Sequence, residues 1–237
     1  MRLTWLLCLL FSLLPLAAGA GETLRVAVAA NFRAALEALN PDFEGRHNAK
    51  VILSSASTGV LYNQIAHGAP FDLLLAADVE RPAALEAKGL VTTGLRRCYA
   101  RGQLVLLGAD SLSALTDPNL SLAIANPDTA PYGRAAVEVL ARPDFAAGKG
   151  RRQVQGSNIV QSWQFWHSGA ANLALVPRSL AGELGIAIPG NWHSPIEQQA
   201  VVLRRATNQA LALAYLDWLT SATIQQAIRH AGYSACP

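Results

Sequence analysis

Four short stretches of this chain have the make-up of an anion seat, and none carries a charge: Ala30-Asn31-Phe32, Ser57-Thr58-Gly59, Pro131-Tyr132-Gly133 and Ser157-Asn158-Ile159. Each lies where an apolar run gives way to helical spacing. The densest is SSASTG, residues 54–59, between Val51-Ile52-Leu53 and a helix-forming stretch over 60–65. Two chemistries fit such loops. Ser, Thr and Asn before a helix cap it, because a side-chain oxygen accepts an unpaired N–H of the first turn. The same geometry exposes backbone N–H groups and a partial positive charge, which suits an anion. A single loop does not separate the two. Four of one design favour a neutral, donor-rich pocket that holds a small dianion through oriented dipoles.

The elements that must position these loops follow from hydropathy patterning. Strands are expected over residues 24–30, 51–53 and 71–77, with helices over 32–39, 60–65 and 81–88. This β-α-β-α-β-α order implies a parallel sheet with helices on both faces. The middle of the chain repeats the scheme, with strands over 103–107, 122–125, 154–156 and 172–176 and helices opening at Arg134 and Ser157. A strand over 200–203 and helices over 207–219 and 221–230 close the chain. The fold class is α/β: two Rossmann-like lobes joined by crossover strands, with a ligand cleft between them and the last helices returning to the first lobe. The expected limits are 21–98 with 200–237 for the first lobe and 99–199 for the second. Ligands of open α/β sheets bind at the carboxyl ends of the strands, where all four loops lie.

The 237 residues suffice for two small lobes with real cores, and 51% are hydrophobic against 15% charged. A net charge of +3 without a basic stripe argues against nucleic acid. The paired arginines at 96–97, 151–152 and 204–205 read as solvated surface. The five histidines have no metal-ligand spacing. Trp163 and Trp166, at helical spacing, read as core. Asp78 reads as a helix cap, with a contact between lobes or a cation ligand as alternatives.

Residues 1–20 carry one cation, Arg2, then an apolar run and the small-x-small site Ala18-Gly19-Ala20. That is a secretory signal peptide cut before Gly21. The run is short for a span of about 20 residues. Its removal takes Cys8 and leaves Cys98 and Cys236, an even pair in an oxidising compartment and hence expected to be bridged.

The chain resembles the periplasmic molybdate-binding proteins of ABC importers, which are type II periplasmic binding proteins. The matching segments are VAVAANFRAALEAL, SSASTGVLYNQIAHGAPFDLLLAADVERPAALEAKGLV, NPDTAPYGRAAVEVL and GSNIVQSWQFWHSGAANLALVP, of which the second is the most specific. The resemblance implies two lobes that close on an oxyanion, molybdate or tungstate, with no catalysis and no cofactor. It implies delivery to a membrane permease by a periplasmic monomer. The family's contacts fall on Asn31 with Ala30 beside it, on the Thr58 hydroxyl, on Tyr132 and on the backbone N–H of Ile159. The protein holds the oxyanion's oxygens, and no side chain ligates the metal directly. Asn31 and Thr58 are expected to aim side-chain donors at the ligand. Some members add a tyrosine where this chain has Pro177, so the Tyr132 phenol is a candidate replacement donor.

Other readings compete. Sulfate or another oxyanion has the right charge and shape. A secreted enzyme on the same fold would need a nucleophile with a base near the cleft. The histidine nearest SSASTG, His67, falls at the far end of the following helix.

Overall fold

The computed structural model describes residues 21–237; the expected signal peptide lies outside the described residues. The chain runs β1 (Glu22–Ala29), α1 (Arg33–His47), β2 (Ala49–Ala56), α2 (Thr58–Ala66), β3 (Leu73–Ala76), α3 (Glu80–Ala87), β4 (Arg97–Gly102) and β5 (Leu104–Leu107). It continues through β6 (Leu122–Ala125), α4 (Pro131–Leu140), β7 (Gln153–Gly156), α5 (Ile159–His167), β8 (Leu173–Pro177), the one-turn α6 (Arg178–Ala181) and β9 (Ile186–Ala187). β10 (Ile196–Val202), α7 (Gln209–Leu219) and α8 (Ala222–His230) complete it. Among the described residues no helix is long and apolar enough to cross a membrane.

Two five-stranded sheets form, in the orders β2-β1-β3-β10-β4 and β7-β6-β8-β5-β9. Both are mixed rather than parallel throughout. β1, β2 and β3 are parallel, and β10 runs antiparallel to β3 and β4. In the second sheet β6 pairs in parallel with β7 and β8, and β5 runs antiparallel to β8 and β9. The reversed strands are those that carry the chain between the lobes. Only Gln103 separates β4 in the first sheet from β5 in the second. The limits expected at 98/99 and 199/200 fall inside β4 and β10.

Strand alternation sorts the first lobe's core. Leu24, Val26, Val28, Leu73 and Leu75 pack under α1, α7 and α8, while Ala27, Leu74, Ala76 and Val201 face Leu61, Ile65 and Leu85 of α2 and α3. The second lobe's core also takes in Ala29, Ala30, Ala77 and Ile196 from the first lobe, so the two lobes pack at the cleft floor.

Helix α1 runs beyond the expected stop at Leu39, straight through Pro41. A mid-helix proline loses a hydrogen bond and crowds the preceding turn. Tertiary contacts outweigh that cost: Asn40 Oδ1 accepts from Tyr215 Oη at 2.8 Å, Asp42 Oδ2 accepts from Trp218 Nε1 at 2.9 Å, and Phe43 packs on both rings. One arginine of the pairs is not surface. Arg151 is buried, its Nε donating to the Gly148 carbonyl and its Nη2 to that of Leu115, so it staples two loops. Trp163 and Trp166 are half-buried against the second lobe's core.

Cys98 of β4 and Cys236 of the tail are bonded, with Cα atoms 5.9 Å apart. The tail also pairs Ser234 with Arg101, and Gln103 Nε2 donates to Ser234 Oγ at 2.6 Å. The chain's end thus straps the crossover.

Candidate functional site

In the first loop, Ala30 N–H donates to the Ala56 carbonyl at 3.0 Å and Phe32 N–H to that of Ala29 at 2.9 Å. The Asn31 N–H between them has no partner among the described residues. The Asn31 side chain turns inward. Its Nδ2 donates to Gln198 Oε1 at 2.9 Å and to Tyr233 Oη at 3.3 Å, and its carbonyl accepts from Tyr233 Oη at 2.7 Å. The Asn31 side-chain donor expected to point at a ligand is therefore spent inside the protein, and its backbone N–H is what stays without a partner among the described residues.

In the second loop Thr58 opens α2, so its N–H has no intrahelical acceptor. Thr58 Oγ1 accepts from the Ala77 N–H at 3.0 Å, which leaves its hydroxyl proton free to donate. Ser57 Oγ beside it is buried without a partner among the described residues.

The third loop folds on Asn126, whose side chain accepts from Asp128 N–H at 2.9 Å and whose carbonyl accepts from Ala130 N–H at 2.8 Å. Pro131 takes the first helical position, where a missing N–H costs nothing, and Tyr132 follows in the first turn with its own N–H unpaired. The Tyr132 ring is 2% exposed, and its Oη accepts from Gln198 Nε2 at 3.3 Å. Burial, helped by neighbouring Tyr233, pushes its phenol far above the usual range against the lowering effect of Gln198. Tyr132 is therefore a neutral hydroxyl. Gly102 is required beneath it, since a Cβ there would meet Tyr132 Oη at 2.1 Å.

In the fourth loop Asn158 is a cap, as one reading of the sequence had it. Its Oδ1 accepts from Val160 N–H at 3.0 Å and Gln161 N–H at 3.1 Å, and the Ile159 N–H alone is left unpaired in that turn.

Three relationships bring the loops together. Ala30 and Ser55 of the first lobe line a 370 Å³ cavity with Asn158 and Gln161 of the second, which joins loop one and the end of β2 to loop four. Gly59 N–H donates to the Thr129 carbonyl at 2.8 Å, joining loops two and three. Asn31 and Tyr132 share Gln198, joining one and three. The N-termini of α2, α4 and α5 thus converge from both lobes, and their dipoles favour negative charge. The cavity's only lining charges, Arg33 and Glu37, pair with each other at 2.7 Å. Asp128 is exposed on its loop. Such an arrangement presents N–H and O–H donors rather than a point charge.

Residues 24–234 match the family of bacterial extracellular solute-binding proteins. The chain belongs to that family. Two curated relatives are named molybdate-binding proteins. The one from Azotobacter vinelandii is 40% identical over 93% of each chain, and the one from Rhodobacter capsulatus is 35% identical over 93% of this chain and 91% of its own. The solved periplasmic molybdate-binding protein of Azotobacter vinelandii superposes with a TM-score of 0.84 at 31% identity, covering 90% of this chain and all of that one.

In this solute-binding protein the two lobes also meet near these loops through side chains, most of which the sequence reading did not single out. Arg134 of α4 pairs with Glu80 of α3 at 3.1 Å through both carboxylate oxygens. Burial raises the Glu80 carboxyl, but its backbone hydrogen bond and Arg134 outweigh that and hold it below the usual range. Asp78, two residues ahead of α3, accepts from the Arg81 N–H of its first turn at 3.1 Å, and it pairs with the Arg81 guanidinium. Arg81 Nη2 in turn donates to the Asp128 carbonyl across the cleft at 2.8 Å. Gln198, Tyr99 and Tyr233 were also not anticipated. Gln198 sits in the polar run Glu197-Gln198-Gln199, where period-two patterning does not tell a buried glutamine from an exposed one.

Proposed function

We propose that this protein captures molybdate, and tungstate with it, in the periplasm and delivers it to an ABC-transporter permease. What supports the reading is that the N–H groups of Asn31, Thr58, Tyr132 and Ile159 have no partner among the described residues and no cation among them, on loops that contacts between the two lobes link. The names of the two curated relatives support the same ligand. On this reading the lobes, divided at the crossovers beside Gln103 and before β10, close over the anion. The mature chain begins at Gly21 and acts as a monomer without a cofactor and without catalysis.

The donor-only character sets the specificity. Molybdate, tungstate and sulfate are dianions near neutral pH and only accept hydrogen bonds. Phosphate keeps a proton that needs an acceptor, and the matched loops direct no carboxylate inward. Sulfate is excluded by size, because a smaller tetrahedron cannot reach donors fixed on two closed lobes. Two donors left unpaired at about 1–3 kcal/mol each lower affinity by orders of magnitude. Competitive calorimetry at fixed pH and ionic strength tests this. Molybdate and tungstate are expected to bind alike, and sulfate more than about tenfold more weakly, a gap above about 1.4 kcal/mol. Tight phosphate binding would refute the donor-only pocket.

A further inference from the structure

Gln198 is wholly buried, yet it is a full hydrogen-bonding hub. It lies on β10 where the register against β4 shifts between Gln198 and Gln199, and such an irregularity re-aims a side chain. Its Oε1 accepts from Asn31 Nδ2 at 2.9 Å and from Tyr99 Oη at 3.0 Å. Its Nε2 donates to Tyr132 Oη at 3.3 Å. One amide thus touches the first-lobe loop, a crossover strand and the opening turn of α4 in the second lobe.

The direction of these bonds matters. An amide has an accepting end and a donating end. The Asn31 amide group can only donate, so the accepting end of Gln198 must face it; the Tyr99 hydroxyl, whose single proton is shared with the Ala76 carbonyl at 3.1 Å, lies at the same end. The donating end must then face Tyr132. Tyr132 Oη is the acceptor of that bond, so its proton is unspent, and it has no other partner among the described residues. The titratable groups around the amide, Tyr99, Tyr132 and Tyr233, are buried phenols whose burial pushes their ionisation well up, so none supplies a competing charge near neutral pH.

We propose that Gln198 is a positioning residue for oxyanion capture: by donating to Tyr132 Oη across the lobes, it reserves the Tyr132 hydroxyl proton for the bound anion. The proposal rests on the oxyanion-receptor reading above. A hydroxyl free to turn either way would serve a protonated ligand as well as a bare one. A hydroxyl already supplied with a donor is poised to give its proton, which adds selection for fully deprotonated ligands at the closed cleft.

The test is a double-mutant cycle on the mature protein, read by molybdate calorimetry with thermal unfolding as the check on folding. Gln198→Met in the wild-type background is expected to weaken binding by about tenfold or more, the value of one charge-assisted hydrogen bond. In the Tyr132→Phe background the same change is expected to cost several-fold less, only what the lost bond to Asn31 contributes, because no proton is left to direct. A second arm keeps the shape of the side chain. Gln198→Glu retains both accepted bonds but, when ionised, takes the Tyr132 proton. Its affinity is expected to fall at pH 8 and to recover as the pH is lowered and the carboxyl becomes a donor, a profile that mere packing would not produce. Equal losses in both Tyr132 backgrounds, or a Gln198→Glu variant that binds like wild type at pH 8, would overturn the proposal while leaving the receptor reading intact. A wild-type protein that binds no oxyanion would overturn the receptor reading and the proposal with it.

Discussion

Gly59 and Thr129 meet backbone to backbone across the cleft: Gly59 N–H donates to the Thr129 carbonyl at 2.8 Å, and a Cβ on Gly59 would stand 2.9 Å from Thr129 Cα. The bond joins the first turn of α2 in one lobe to the loop ahead of α4 in the other. Closure and anion capture share this point, because the next residue back, Thr58, is a proposed ligand donor.

Gly59→Ala is therefore expected to split stability from binding. Alanine favours a helix over glycine by about 1 kcal/mol, so the free protein should melt no lower than wild type. The added methyl meets backbone on the facing loop and resists closure, and molybdate affinity should fall by about tenfold as the closed population shrinks. Calorimetry beside a melting curve checks both halves. An unchanged affinity would mean that the closed contact does not contribute to capture.

Thr58 has two tasks, and two substitutions separate them. Thr58→Ser keeps a hydroxyl for both the Ala77 N–H and the ligand and should bind within about threefold of wild type. Thr58→Val removes one donor to a charged oxygen, worth about 1.5–3 kcal/mol, or roughly ten- to hundredfold in affinity. It also strands the buried Ala77 N–H at a cost of about 1–3 kcal/mol in stability. Equal binding by Thr58→Val and wild type in calorimetry would remove the hydroxyl from the site.

The fold was largely readable because its signals are local and periodic. The strands LRVAVAA, LLLA and LAIA and the loops at their ends announce themselves. What escaped depends on partners far along the chain. α1 passes through Pro41 because Tyr215 and Trp218, some 175 residues away, hold its far turns. The inward turn of the Asn31 side chain depends on Gln198, 167 residues on. Arg151 looks like surface until its two carbonyl partners are seen. Loop chemistry pointed to the four loops, whereas side-chain direction came only with the packed structure.

The Cys98–Cys236 bridge closes 138 residues and straps the crossover. Its removal by Cys236→Ser is expected to cost about 2–4 kcal/mol, lowering the melting temperature by several degrees. Thermal unfolding of the variant and of the reduced wild type should agree. Two free thiols in the denatured, unreduced protein would contradict the bridge.

The Glu80–Arg134 contact predicts a pH dependence with a definite sign. The Glu80 carboxyl sits below its ordinary value near 4.5, so its stabilisation is present above that value and is lost as the pH falls through the lowered one. The pair is half exposed, so solvent screening limits it to about 1 kcal/mol or less. Glu80→Gln should therefore melt slightly below wild type at pH 7, and the difference should shrink and vanish as the pH falls below 4.5 through the lowered value. A difference that grows on acidification would reverse the assignment.

The most direct test of the central claim is a crystal structure of the mature protein grown with molybdate. The account predicts one tetrahedral anion whose oxygens lie about 2.7–3.2 Å from the backbone nitrogens of Asn31, Thr58, Tyr132 and Ile159, with the Thr58 and Tyr132 hydroxyls as further donors. An anion seated on Arg33 at the cavity mouth, or on a surface arginine, with those four N–H groups left unpaired would contradict it.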